Sequence, residues 1–485
     1  MEKKKFLSDV LFIQGINILI KAVWILLIDR AVQNELPTSV YGQYFSLFSF
    51  TVLFIILLDF GLNNMNSREV AANPAYLQQN FLSFVITKAV LSVVFAFTVI
   101  IAGLVLSLSG AEWSILSMLI VMQIFISFNA YFRSNLAALH RFKLDGMLSV
   151  TDRLLVIIIC GSWFLVPGWK HNLTIQNFVL VQVGGTLLTL TIALIINIRS
   201  LNNPNQDFQF DEIKRLIRSA LPFALLAALM AVFTRIDAVM LSEMIGSEAA
   251  DIYAMGYRLL DAGNMVAVLL AGMLLPMFAR MISEKASKSL SELALLSAKL
   301  LILPAILIAI ISWVYPVEIL SFMYPNKIDI ISPDTFRYLM ISFIATCSIY
   351  VFGTALTAAK ELKWLNILAT TTLVSNLVLN AILIPTHGSD GAALATLLTQ
   401  AVFALGCFYK AKTSFNIHIT SKLTLSISIY TGLLIGLFWL GRQFFETPFV
   451  HISVGVVCAV VFVFASGLFN LNMLKSLVRR KTRNS

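Results

Sequence analysis

Stretches of about 20 apolar residues, separated by short polar connections, follow one another from end to end of the chain. A bilayer core about 30 Å thick takes about 20 apolar residues per helical crossing, so each stretch predicts a membrane-spanning helix. The pattern predicts an all-α integral membrane protein with about 14 transmembrane helices, over 10–28, 41–62, 81–107, 113–138, 152–168, 174–198, 217–243, 251–278, 290–314, 335–358, 363–385, 390–409, 423–441 and 449–469. The least regular are 41–62 and 217–243, which contain Asp59, Arg235 and Asp237. The connections are too short to form a soluble domain, so the sequence places the protein's work inside the bilayer.

Composition agrees with this reading. The 485 residues are 59% hydrophobic and 12% charged, with a mean hydropathy of +0.87, whereas soluble domains carry about 25% charged residues. The start, Met1-Glu-Lys-Lys-Lys5, resembles the charged end of a signal peptide, but the apolar run behind it is long and lacks a small-residue cleavage site. It is read as the first span.

With both termini cytoplasmic, the inner loops and tails hold about 24 Lys and Arg residues against about four outside, as the positive-inside bias requires. Arg141, Lys143, Lys214, Arg215, Arg218 and Arg479-Arg-Lys481 fall inside, while the outer 315–334 connection carries Glu318, Asp329 and Asp334 against Lys327. This bias accounts for much of the net charge of +10. The basic residues are scattered over separate loops, which speaks against nucleic acid as a partner. Cys160, Cys347, Cys407 and Cys458 lie in apolar spans, where a small buried hydrophobe is the expected role. The five histidines, His140, His171, His387, His418 and His451, form no metal motif.

The polar segment 199–216, with Asn202-Asn-Pro-Asn-Gln206, reads as a cytoplasmic linker between an N-terminal six-helix lobe (1–198) and a C-terminal six-helix lobe (217–412). Residues 413–485 add two further helices and a basic tail. The halves carry a weak repeat. Val40-Tyr-Gly-Gln-Tyr44 opens span 2 and Ile252-Tyr-Ala-Met-Gly-Tyr257 opens span 8, each after a span that ends in an acid, Asp29 or Glu243. Repeated bundles related by an axis along the membrane normal are common in transporters, with the site between them.

The informative chemistry is ionisable groups at membrane depth, where each costs at least about 2.5 kcal/mol at the bilayer centre unless it faces a cavity or a partner. Such cations are Lys21, Lys88, Arg133, Arg235, Arg258, Lys299 and Arg337, and such acids are Asp59, Asp237 and Asp261. A cavity with surplus base suits a phosphate- or carboxylate-bearing ligand, which guanidinium groups grip bidentately and ammonium groups bind as point charges. Lys21, Lys88, Arg133, Arg235 and Arg258 are the candidate substrate-binding residues. Lys299 and Arg337 fit snorkelling to the nearest interface. Arg258 and Asp261, three residues apart, are spaced to pair on one helix face. Pro276 is read as the end of span 8, and Pro304 as a kink in span 9.

Three stretches carry a family resemblance over most of residues 10–410. The first is Tyr41-Gly-Gln-Tyr44 leading into Leu57-Leu-Asp-Phe-Gly-Leu-Asn63 and Arg68. The second is Arg235-Ile-Asp237, Gly246, Ile252-Tyr253, Tyr257-Arg258 and Leu275-Pro276. The third runs from Lys360 to Asn366, then Asn376-Leu-Val-Leu-Asn-Ala-Ile-Leu-Ile-Pro385, Gly388 and Gly391-Ala-Ala-Leu-Ala-Thr396. Together they resemble the polysaccharide transporter family, the O-antigen and exopolysaccharide flippases of the multidrug/oligosaccharidyl-lipid/polysaccharide superfamily. The resemblance implies two six-helix bundles in a V with two extra C-terminal helices. It also implies a bacterial inner-membrane flippase for a polyprenyl-pyrophosphate-linked oligosaccharide, used in O-antigen or other surface polysaccharide (lipopolysaccharide) biosynthesis. Partners on this reading are the lipid-linked oligosaccharide and membrane lipids, with a polysaccharide polymerase and glycosyltransferases as candidates.

A drug/cation antiporter of the same superfamily would want net acid in its cavity, whereas this chain has net base. A lipid II flippase shares the anionic lipid and stays open. A membrane polymerase or ligase would need acid/base groups on a large outer loop, and the 315–334 connection carries no histidine, so no enzyme activity is expected. No cofactor is implied. The energy source stays open between a proton, a sodium ion and the membrane potential, with Asp59, Asp237 and Asp261 as coupling or counter-ion groups. The topology is testable: a reporter fused within 199–216 should report the cytoplasm and one within 315–334 the outer side. A cytoplasmic signal from 315–334 would invert the assignment.

Overall fold

The computed structural model of the chain describes residues 15–139, 141–201, 210–418, 420–444 and 447–468, and leaves aside the side chains of 64, 68, 72 and 210–223. The basic amino terminus, His140, residues 202–209 of the linker, the side chains of Lys214, Arg215 and Arg218, and the tail Arg479-Arg-Lys481 therefore lie outside the described residues.

Among the described residues the regular structure is entirely helical. We number the helices α1 (15–35), α2 (Thr38–Leu53), α3 (Leu62–Ala72), α4 (Ala75–Val105), α5 (Gly110–Ala138), α6 (Phe142–Leu165), α7 (Ile175–Ile198), α8 (Phe210–Ile245), α9 (Ser247–Ser283), α10 (Ser287–Val314), α11 (Pro316–Met323), α12 (Pro333–Ala358), α13 (Leu362–Phe415), α14 (Ser421–Gly441) and α15 (Pro448–Ala465).

Eleven of them are long and apolar enough to cross a membrane by length and composition. Three places account for the difference from fourteen. The first expected span, α1, begins outside the described residues and winds through a π-helical turn at Trp24–Asp29. The second, expected over 41–62, breaks: α2 ends at Leu53, a 3₁₀ turn covers Ile55–Leu58, and Phe60 and Gly61 take positive φ of 44° and 81°. The expected spans 363–385 and 390–409 are the two arms of α13. Its 54 residues would reach roughly 80 Å if straight. The turn is made at Gly388, with φ 56° and ψ −132°, and a Cβ on Gly391 would lie only 2.4 Å from the Leu383 carbonyl oxygen. One expectation is corrected: Pro276 does not end its helix, because α9 continues to Ser283.

The chain forms two compact units, one of residues 1–258 with 362–392 and the other of 259–361 with 393–485. In the first, α5 packs on α7, α6 on α7, α2 on α8 and α3 on α5. Helix α4 shows how such packing is written in sequence. Phe81, Phe84, Lys88, Ser92, Phe95, Val99 and Gly103 are buried at spacings of three and four, while Val90, Val93, Phe97, Ile101 and Leu104 are exposed on the other side. Apolar residues face outward because lipid surrounds the fold, so the inner face is free to carry small and polar groups that bond between helices. Asn66, Asn135 and Asn197 do this across α3, α5 and α7: Asn66 donates to Asn135, and Asn135 donates to Asn197 at 2.9 Å.

The break after α2 is stabilised from α4. Lys88 is fully buried, and its Nζ lies 3.1 Å from both the Leu58 carbonyl oxygen and Asp59 Oδ1. Ser127 of α5 donates to the same Leu58 carbonyl at 3.1 Å. Non-helical backbone at membrane depth needs such partners.

In the second unit, α10 packs on α12 and on α14, and α14 packs on α15. Leu303 and Ile306 meet Tyr430, Leu434 and Phe438 in a shared cluster. A Cβ on Gly455 would meet the Phe438 ring at 2.2 Å, so glycine sets the closeness of α15 to α14. Cys160, Cys347 and Cys407 are buried as expected, whereas Cys458 on α15 is exposed.

Replacing Lys88 with Met should remove the cation that serves the broken segment. We expect a loss on the order of 3 kcal/mol, as for other one-sided deletions of a buried pair, read as a lower melting temperature in detergent; an unchanged midpoint would show that the break holds without it.

Candidate functional site

The site begins with the path of α1. Its helix runs seven residues past the expected end of the first span and carries Asp29 inside, where it is buried. A carboxylate there needs partners, and two arrive from different helices. Tyr41, the first residue of the Tyr-Gly-Gln-Tyr motif on α2, donates its hydroxyl to Asp29 Oδ1 at 2.9 Å. Arg258 of α9 places Nη1 2.9 Å from Asp29 Oδ2, donates through Nη2 to the Tyr41 hydroxyl, and rests its guanidinium over the Phe45 ring at 5.2 Å. Both members of the ion pair are more than nine-tenths buried.

A second tie runs alongside. Gln33 of α1 donates to Asp251 of α9, at 2.7 Å to Oδ1 and 3.2 Å to the backbone carbonyl. The motif's glycine makes this approach feasible: a Cβ on Gly42 would stand 1.8 Å from the Ser247 carbonyl oxygen. Tyr44 completes the motif, its hydroxyl accepting from Gln182 at 3.2 Å and its ring edge meeting Phe178.

A second polar network is built on the same pair of groups. Tyr253 of α9 donates to Asp237 Oδ2 on α8 at 2.8 Å, as Tyr41 does to Asp29. Asn380 of α13 donates to Asp237 Oδ1 at 2.6 Å and to Asn376 Oδ1 at 3.1 Å. Arg235, two residues away on another face, lies over the rings of Tyr257 at 5.1 Å and Phe48 at 5.9 Å.

A third group is cationic and half-exposed. Lys21 of α1 lies within electrostatic reach of Arg133, Arg153, Asp145 and Asp152. Arg133 Nε pairs with Asp145 at 2.7 Å and Arg153 Nε with Asp152 at 3.5 Å. The Arg133 and Arg153 side chains are 33% and 29% exposed, so each keeps N–H groups open to solvent or ligand. Arg153 also stacks over Trp24 at 5.1 Å, within the π-helical turn of α1. Three cations against two carboxylates leave one positive charge. Such a cluster can take a phosphate, which accepts several charge-assisted hydrogen bonds at once.

The sequence-predicted residues therefore separate. Lys21 and Arg133 share the half-exposed cluster, Arg258 sits in the buried ion pair, and Arg235 stacks on aromatic rings. Lys88 and Asp59 pair with each other at the break after α2. Asp237 lies in the Tyr253–Asn380 network. Asp261 belongs to the other unit, within electrostatic reach of Tyr350. The structure pairs Arg258 with Asp29, a partner that spacing along one helix did not offer.

Sequence reasoning missed Asp29, Asp251, Arg153, Asp145 and Asp152. Asp29 stands just past the expected first span, 10–28, although the helix stop signal, Pro37, stands several residues later. Arg153 lies in the first turn of the expected span 152–168, and its position there carries no signal of its partners.

Helices of this kind, joined by buried ion pairs and amide networks at membrane depth, define a polytopic membrane protein. The comparisons place it further. Residues 8–282, more than half of the chain, match the family of polysaccharide biosynthesis proteins, and the chain belongs to that family. No curated protein matches the sequence. Among solved structures, the lipid II flippase MurJ in an inward closed conformation is similar with a TM-score of 0.66 and 17% identity, over 96% of this chain and 99% of that one. An inward-facing multidrug resistance MATE family transporter of the MOP superfamily is similar at 0.61 and 15%, over 83% and 94%. A MATE transporter of Vibrio cholerae follows at 0.55 and 13%, over 85% and 97%. At these identities the likeness is one of fold.

The ion pair makes a prediction. Asp29→Asn or Arg258→Gln alone should each cost about 3–5 kcal/mol, because the remaining charge stays buried without its partner. The double variant should recover at least about 1 kcal/mol of the summed loss. Melting temperatures of the four proteins in detergent complete the cycle; strict additivity would deny the coupling.

Proposed function

We propose that the protein is a flippase, not an enzyme, which carries a polyprenyl-pyrophosphate-linked oligosaccharide across the bacterial inner membrane for surface polysaccharide synthesis, O-antigen among the candidates. The observation that carries this reading is the half-exposed cluster of Lys21, Arg133 and Arg153, with a surplus cation beside the aromatic Trp24. Pyrophosphate needs several cationic donors at membrane depth, and the polyprenyl tail can remain in the bilayer while the head group passes. Membership of the polysaccharide biosynthesis family and the transporter fold support it. The surplus of base speaks against a cationic drug as cargo. A lipid II flippase is the second reading, favoured by the likeness to MurJ over almost the whole of both chains. The same donors suit either polyprenyl pyrophosphate, and the sugar distinguishes them.

In this proposal Lys88 and Arg258 hold the scaffold that presents the cluster, and Asp237 is the group that binds a proton or sodium ion. Asp59 is engaged by a buried lysine, whereas Asp237 accepts from the Asn380 amide and the Tyr253 hydroxyl. Carboxylate, amide and hydroxyl oxygens are the ligand type that a hard cation takes. A glycosyltransferase or polymerase would act before or after translocation.

The test is head-group movement in liposomes that hold the purified protein and a fluorescent lipid-linked oligosaccharide. Arg133→Ala and Arg153→Ala should each slow translocation about tenfold, the equivalent of one charge-assisted bond, at parent abundance and melting temperature. Translocation at the parent rate by the Lys21→Ala/Arg133→Ala/Arg153→Ala protein would move the head-group site elsewhere. Lipid II handled faster than the oligosaccharide lipid would favour the second reading.

A further inference from the structure

The second compact unit carries a cation that the proposed transport site does not use. Lys299, on α10, is half-buried and lines a crevice of about 490 Å³ between α10, α12, the second arm of α13 and α14. The walls are apolar, formed by residues such as Leu295, Ile302, Leu303, Leu423 and Ile427, with the Ser348 hydroxyl as the other polar side-chain group. No acidic residue lines it. Among the described residues Lys299 has no ion-pair or hydrogen-bond partner for its ammonium. A cation at membrane depth with apolar walls is costly, and the cost is removed by a counter-anion.

The depth indicates where that anion comes from. Lys288 and Glu292 mark the polar start of α10, and Lys299 lies two turns beyond Glu292, about 10 Å into the apolar part. Its side chain can reach most of the way back to the interface. Leu423, near the start of α14, marks the same end of the crevice. From there the apolar walls continue. Ile341 and Ile344 are shared with a second crevice of about 800 Å³, bordered by Ile310, Ile435 and Trp439 and also lined by Arg337 and Arg442. From Lys299 to Ile310 is about 16 Å along α10, close to the roughly 15 Å depth of one leaflet. A cation at one end and an apolar trough one leaflet deep form the outline of a membrane lipid.

We propose that this crevice holds an anionic phospholipid of the surrounding bilayer, with its phosphate on Lys299 and one acyl chain along α10, α12 and α14. The phosphate supplies the missing counter-charge, and the chain covers apolar walls that no other part of the described unit covers. The lipid is a resident of the transporter and not its cargo. The assignment does not rest on the flippase reading, because Lys21, Arg133 and Arg153 belong to the other unit.

The experiment uses full-length protein purified in detergent and titrated with phosphatidylglycerol or phosphatidylcholine, with bound lipid counted by native mass spectrometry and melting temperature followed in parallel. Phosphatidylglycerol should bind about tenfold more tightly than phosphatidylcholine, the equivalent of one charge-assisted contact. Lys299→Gln should reduce it to the phosphatidylcholine level, and Lys299→Arg should keep the preference. An unchanged preference in Lys299→Gln overturns the proposal. If Lys299→Gln is not recovered folded, Ala345→Trp fills the crevice and leaves the lysine in place; it should lower occupancy by both lipids, and full phosphatidylglycerol binding by that variant overturns the proposal equally. Polyprenyl pyrophosphate that displaces phosphatidylglycerol at lower concentration would assign the crevice to cargo. An Arg133→Ala protein should keep the lipid preference whatever its transport rate, which separates failure of this inference from failure of the transport reading.

Discussion

A guanidinium with no access to water must be given an anion, and that requirement organises the first compact unit. Arg258 is more than nine-tenths buried and receives Asp29 from α1 and the Tyr41 hydroxyl from α2. Both the pairing and its geometry are demanding, because a lone charge at that depth costs several kcal/mol. The consequences spread outward. Asp29 can reach Arg258 only if α1 continues as a helix beyond its apolar stretch, which it does as far as Glu35. Tyr41 can reach both only if α2 starts close to the beginning of α9, and Gly42 permits that approach to the Ser247 carbonyl. Gln33 and Asp251 add a neutral-to-charged bond beside the pair. Within the Tyr-Gly-Gln-Tyr motif, Tyr41 bonds the buried arginine and Gly42 lets its helix come close enough to do so.

Cations of the same type have different roles in this chain, and burial with partner geometry separates them. Lys88 is fully buried and bonded to a broken backbone segment, so it serves the fold. Arg258 is buried and ion-paired, so it fastens helices. Arg133 and Arg153 are about one-third exposed with carboxylates on one side, which leaves donors free for an anionic head group. Lys299 stands in an apolar crevice without an acid, the environment that favours a lipid phosphate. Counting cations along the sequence gives all of them the same weight.

The two polar networks repeat one device. A tyrosine near the start of a helix donates to an aspartate on the helix before it, Tyr41 to Asp29 and Tyr253 to Asp237. The first aspartate also pairs with an arginine, and the second also accepts from the Asn380 amide.

What the sequence determined by itself follows from rules that are local in the chain. Apolar stretches of bilayer length specify helices that cross it, and this settled the all-helical class. Gly388, with positive φ, falls in the expected gap between spans 363–385 and 390–409, whereas Gly61, also at positive φ, falls inside the expected span 41–62. The motifs around Tyr41, Arg235 and Asn376 were visible in the sequence, and the structure gives each its own contacts: Tyr41 with Asp29 and Arg258, Arg235 with the Tyr257 and Phe48 rings, and Asn376 with Asn380. The partners were not visible. Asp29 with Arg258 is a contact over 229 positions, and Gln33 with Asp251 over 218. Spacing along one helix can offer Arg258 only neighbours about three or four residues away, such as Asp261. Which cation is buried, which is half-open and which faces lipid depends on the helices packed around it, and that arrangement exists only once the helices have come together.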